Sequence, residues 1–125
     1  MAKSAAKEIK WLPDVEAQVY PAAESYLSII YSAERVSSIM TNFRRAAVVQ
    51  FKAKDIFRAS ELSLLGVSNS HVEKDRQKIS RGKGLSPLLL LRHQQNSKVI
   101  VADGYHRLCA IYSFDEDALI QCKVV

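Results

Sequence analysis

The chain has 125 residues, 48% of them hydrophobic, with 18 Lys and Arg against 13 Asp and Glu and a formal net charge of +5. That is apolar material enough for the core of one domain, which excludes wholesale disorder. No apolar run nears the roughly 18 residues of a membrane span, and MAKSAAKEIKWLP lacks the ~7–15-residue apolar stretch of a secretory signal.

From Asp14 to Arg45 the pattern is helical and carries no chemical motif, which sets residues 1–45 apart as an N-terminal helical appendage. Pro21 suits the first turn of a helix running to about Tyr31, with Tyr26, Ile29 and Ile30 on its inner side. Ser32 can cap the next helix, on which Val36, Ile39, Met40 and Phe43 form a stripe at i, i+3, i+4, i+7. These helices carry more apolar surface than a small sheet covers, so they could also serve as the face of a homodimer. Trp11, beside Leu12 and Pro13, reads as an anchor for the tail.

The texture changes at Ala46, where residues 46–125 begin a second unit. AVVQF predicts a strand, and Lys54 to Ala59 a short helix. ELSLLGVSNS is an irregular connection. A helix then runs from about His71 to Arg81 and stops at Gly82 and Gly84. It carries the basic run KDRQKISRGK, an arrangement that is ordinarily the solvated face of a helix and less often a nucleic-acid surface. SPLLLLRH and KVIVA predict two strands joined by the polar turn QQNS, with His93 exposed at the first strand's end, and LIQCKVV predicts the last strand. Helices interleaved with short strands point to a small mixed α/β domain of the α+β class. Cys109 and Cys122 lie inside apolar segments without metal-ligand spacing, as reduced, buried thiols of a cytoplasmic protein do.

The chemistry concentrates in VIVADGYHRLCAIY, residues 99–112. Asp-Gly between apolar stretches can be a hairpin turn, but YHRLCAIY does not alternate as a strand would. Tyr105, Leu108, Cys109 and Tyr112 fall at i, i+3, i+4, i+7, so a helix begins at about Gly104, directly after a strand. The first amides of a helix have no internal partners and sit at the positive end of its dipole. Gly104 would let a ligand approach the backbone, and His106 and Arg107 add donors suited to phosphate. The alternative is that Asp103 caps the helix by accepting from the amides of Tyr105 or His106, with Arg107 paired to it. Spacing alone leaves both readings open.

ADGYHRLCA resembles the phosphate-binding motif of the ParB/sulfiredoxin-like superfamily, in which a strand runs into Gly-x-His-Arg or Gly-Glu-Arg-Arg at a helix start. FKAKDIF is similar to the opening strand and helix of the ParB N-terminal domain, sometimes described as ParB-like nuclease. VSNSHVEKDRQKISRGKGLSPLLL resembles its next helix and lead-in to a strand, and LIQCKVV its closing strand, so the likeness covers roughly Val49 to Val125. The resemblance implies that Gly104, Tyr105, His106 and Arg107 hold the phosphates of a nucleotide such as ATP, ADP or CTP. It departs in two places. Tyr105 stands where sulfiredoxin has its catalytic cysteine, so sulfiredoxin chemistry is not expected. No helix-turn-helix pattern follows the motif, so DNA loading in the ParB manner is not expected, although DNA remains a candidate partner.

The Asp-Gly-x-His-Arg form looks closest to members that include the free-serine kinases, whose acidic base lies in the loop before the basic helix. Glu61 and Glu73 do not match that position, which leaves Asp103 as the better-placed carboxylate. Asp103 could bind Mg²⁺ beside the phosphates or take a proton from an attacking hydroxyl or water, with His106 donating to an oxygen. His71 opens the preceding helix, and its first-turn amides could meet the same ligand from the opposite side; an exposed histidine beside a capping Asn69 or Ser70 is the plainer reading. Lys74 could extend the basic rim, as could Arg81. The expected function is thus nucleotide binding, leading to hydrolysis or phosphoryl transfer of the kind an NTPase or nuclease performs. The rivals are a nucleotide-switched binding module for DNA or protein, and a scaffold whose site is inactive.

Overall fold

The computed structural model describes residues 8–66 and 68–125. Its elements, in chain order, are α1 (Val19–Ile30), α2 (Ala33–Arg45), β1 (Val49–Lys52), α3 (Ala53–Ser60), α4 (Ser70–Ser80), β2 (Leu88–His93), β3 (Lys98–Asp103), α5 (Tyr105–Phe114) and β4 (Leu119–Val124), with a 3₁₀ turn at Gln94–Asn96. The four strands form one mixed sheet in the order β1-β4-β2-β3, in which β4 and β2 are parallel and the two outer pairings antiparallel. The fold is of the α+β class.

The leucine run explains the layering. Strand β2 lies inside the sheet, and strand residues alternate between faces. Leu88 and Leu90 enter one core with Ile56, Val72, Ile79, Leu108 and Ile111, beneath α3, α4 and α5. Leu89 and Leu91 enter a second core with Val19, Leu27, Val36 and Phe43, beneath α1 and α2. The segment that the sequence sets apart before Ala46 is therefore the cover of one sheet face. Trp11 packs against the first core and bridges to Leu85, tying the tail beside β2 as expected.

Helix α2 follows its sequence pattern. Val36, Ile39, Met40 and Phe43 are buried, and the Ser32 hydroxyl accepts the Arg35 amide at 3.3 Å. Helix α1 does not. Its inner face is Val19, Ala23 and Leu27, while Tyr26, Ile29 and Ile30 point outward, Ile29 to 84% exposure. The side chains that meet the sheet flank the small Ala23, which lets the helix approach the partly buried Ile100 of β3 and its neighbour Ala102. A pattern weighted by large apolar residues picks the wrong face there. Cys109 and Cys122 are both buried and free, and burial pushes the Cys122 thiol up to about 12. No helix among the described residues is long and apolar enough to cross a membrane.

Candidate functional site

Strand β3 ends at Asp103, and Gly104 turns the chain at φ +115° directly into α5. Among the described residues no side chain caps that helix. The Asp103 carboxylate instead accepts from Arg107 Nη2 at 3.2 Å, one helical turn along. Of the two parts of the alternative reading, the ion pair forms and the cap does not. The pair is mostly buried, with 17% of the Arg107 side chain and 24% of that of Asp103 exposed, and Arg107 Nε is buried with no partner among the described residues. A buried donor without an acceptor costs about 1–3 kcal/mol, which a ligand oxygen would recover.

Helix α4 lies beside α5 and runs the same way. The rings of His71 and His106 stand 4.9 Å apart at the helix starts, and farther along the Arg76 guanidinium lies 4.3 Å from the Phe114 ring centroid and donates to the Ser113 hydroxyl. Two positive helix ends thus meet at one place. They contribute differently. The Asn69 side chain accepts from the amides of His71 and Val72 at 3.0 and 3.2 Å and His71 is exposed, which is the plainer of the two readings of this helix start; those amides are not left for a ligand. What α4 supplies is side chains: the His71 ring, Lys74, Asp75 and Lys78 line the same cleft as Gly104 and the side chains of Asp103, His106 and Arg107. Arg81 does not line it.

Tyr105 takes part in a different way from that expected. It lines the cleft, but its hydroxyl donates to the Ser63 carbonyl, which pins the connection after α3 to α5. Behind it the Cys109 thiol accepts the Leu65 amide at 3.5 Å, and burial holds that thiol above its ordinary value. The tyrosine is a strut of the cleft wall, and the cysteine is sealed beneath it.

Two members of the cleft carried no site signal in the sequence, Asp75 and Lys78. Both belong to the run that reads as a solvated face, yet Asp75 is turned inward to 14% side-chain exposure, with Lys78 Nζ at 4.0 Å. Burial raises the Asp75 carboxyl above its ordinary 3.8, and Lys78, Arg107, His106 and Lys74 only partly oppose this. The folded chain therefore holds that proton at pH values where the unfolded chain has released it. This contribution to stability is present in acid and is lost as pH rises through the raised value. Asp75→Asn should raise the melting temperature at pH 7, and the gain should vanish below about pH 3.8, as a pair of thermal melts would show.

The cleft is small, about 200 Å³. That suits one or two phosphate groups, whereas pockets for whole drug-sized ligands run to roughly 300–1,000 Å³. Two larger concavities lie elsewhere. An apolar one of about 490 Å³ is lined by Phe51, Ile56, Leu90 and Val99, and a polar one of about 670 Å³ lies between α2 and the turn after β2. Neither contains the strand-turn-helix motif. The donor set does not suit a resident metal: no group of three His, Cys, Asp or Glu side chains among the described residues could hold one, and Asp103 is committed to Arg107. No family model, curated protein or solved structure matches the chain.

Proposed function

We propose that the cleft binds the phosphate groups of a nucleotide. The observation that carries this reading is the meeting of the uncapped start of α5 with His71, Lys74, Lys78, His106 and Arg107 in one concavity. Four kinds of donor converge there: backbone amides at a positive helix end, a planar guanidinium with a free Nε, two ammonium groups and two imidazoles. The resemblance of ADGYHRLCA to the ParB/sulfiredoxin-like phosphate motif supports the same reading. The cleft's volume leaves the nucleoside outside, where the exposed rim of α4 and the connection pinned by Tyr105 are nearest.

Binding is the part that the geometry supports best. Hydrolysis or phosphoryl transfer also needs a group to move a proton, and Asp75 suits that role better than Asp103. Its carboxyl is raised and faces the cleft, whereas the Asp103 carboxylate is held by Arg107. Any Mg²⁺ would arrive with the phosphates as part of the ligand.

A thermal-shift panel of ATP, ADP, CTP and GTP, with and without Mg²⁺, tests the reading. A nucleotide at 100 times its dissociation constant should stabilise the fold by about 2.7 kcal/mol. A melting temperature unmoved by every member would refute nucleotide binding. Release of inorganic phosphate from the nucleotide that binds would mark an enzyme, and binding without release would mark a switch module.

A further inference from the structure

We propose that the polar groove between α2 and the turn after β2 is a second anion site, for a phosphorylated polyhydroxyl compound of sugar-phosphate size. Leu88, at the start of β2, touches Gly104, and His93, at its other end, lines the groove. Five strand steps of about 3.3 Å therefore put roughly 17 Å between this groove and the phosphate cleft. The two sites are separate.

Charge gives the first argument. Arg35 from α2 and Arg92 from β2 face the groove, no Asp or Glu side chain lines it, and Val125, whose main-chain oxygen accepts the Arg92 amide at 2.7 Å, lies on its wall. Neither guanidinium is paired with a carboxylate among the described residues. The Arg35 guanidinium sits 5.5 Å from the centroid of the Tyr31 ring, which orients it, and among the described residues the Arg92 guanidinium makes only a long bond of 3.5 Å to the Val124 carbonyl. With no acidic side chain in its lining, the groove keeps an excess of positive charge even against a main-chain carboxylate at Val125, and each guanidinium can give an oxyanion two hydrogen bonds.

The neutral lining gives the second argument. Ser38 and Asn42 lie three and seven residues after Arg35, so α2 presents all three on one flank, just outside its buried stripe. Gln94 and Gln95 face them from the 3₁₀ turn. Hydroxyls and side-chain amides both donate and accept, as recognition of sugar hydroxyls requires. The third argument is an orphan: His93 lines the groove, and its Nδ1 is buried without a partner among the described residues. At about 670 Å³ the groove is large enough for a hexose phosphate. A nucleic-acid backbone would need a longer track of cations than two arginines.

The test is amide chemical-shift mapping on the full chain, titrated with glucose 6-phosphate, glucose, inorganic phosphate and a short DNA duplex. Glucose 6-phosphate should move the amides of residues 35–42 and 91–95. Its affinity should fall at least tenfold in the Arg35→Ala/Arg92→Ala double variant and be unchanged in Arg107→Ala. Shifts confined to residues 71–78 and 103–107 would overturn the proposal, since the sugar phosphate would then use only the other cleft. Inorganic phosphate binding the groove as tightly as glucose 6-phosphate would overturn the polyhydroxyl assignment, and tighter binding of DNA there would overturn the small-molecule one. Because Arg107→Ala disables only the first site, loss of nucleotide binding and loss of groove binding are read separately.

Discussion

Gly104→Ala should destabilise the chain by about 2–6 kcal/mol, a large part of the roughly 5–15 kcal/mol that holds a domain folded. Two costs add. At φ +115° a side chain is strained, at about 1–3 kcal/mol. A Cβ there would also stand 2.3 Å from Leu88 Cγ and 3.0 Å from Arg107 Nη2. Leu88 is fully buried in the interior strand and cannot retreat, so overpacking costs a further ~1–3 kcal/mol. Gly66 supplies the control: a Cβ there meets nothing within 4 Å, and Gly66→Ala should change stability by less than about 1 kcal/mol. Urea unfolding of both variants, read as the shift in midpoint at constant slope, makes the comparison. Equal midpoints would mean that the tight turn between β3 and α5 is not built as described. The same clash bears on function, because relief at position 104 must push either Leu88 or the Arg107 guanidinium out of place.

The turn itself was legible because it depends on local chemistry. Helical spacing of Tyr105, Leu108, Cys109 and Tyr112 against the strand pattern before it fixed the junction to within a residue, and α5 does begin at Tyr105. Leu88 to Leu91 read as a strand, and their burial on both faces shows why the run lacks alternation. What sequence could not supply was the relation between elements. Whether α4 points its charged side at solvent or at α5 depends on how Arg76 packs over Phe114, a contact between residues 38 positions apart. Asp75 and Lys78 enter the cleft only as a result of that packing. The face that α1 buries was decided in the same way, by the fit of Ala23 rather than by the larger Tyr26 and Ile29. Asp103 had two local partners open to it, the helix amides or the guanidinium, and spacing permits both. The structure selects the guanidinium, which leaves the helix start open. That selection separates a self-capped helix from one able to receive an anion.

If the helix start does receive phosphate, Arg107→Ala should weaken nucleotide binding by roughly 10- to 150-fold, the equivalent of about 1.5–3 kcal/mol for charge-assisted hydrogen bonds. The fold should also lose about 1–3 kcal/mol, because the Asp103 carboxylate, mostly buried at 24% exposure, is left without its cation. A loss of affinity in a chain that still melts cooperatively is the signature of a ligand contact, and calorimetric titration alongside thermal melts would measure the two separately. Arg107→Lys refines the result. Lysine keeps the charge but not the planar fork, so it should recover only part of the affinity if two phosphate oxygens are gripped at once. Asp103→Ala should act in the opposite direction from Arg107→Ala, because it releases the guanidinium and removes a negative charge from the cleft wall. Should Arg107→Ala bind nucleotide as well as the natural chain, the buried Nε has no phosphate to satisfy and the cleft is not where the nucleotide sits. Should Asp103→Ala instead abolish binding while the fold survives, the carboxylate does more than hold the arginine, and a cation carried by the nucleotide must be touching it.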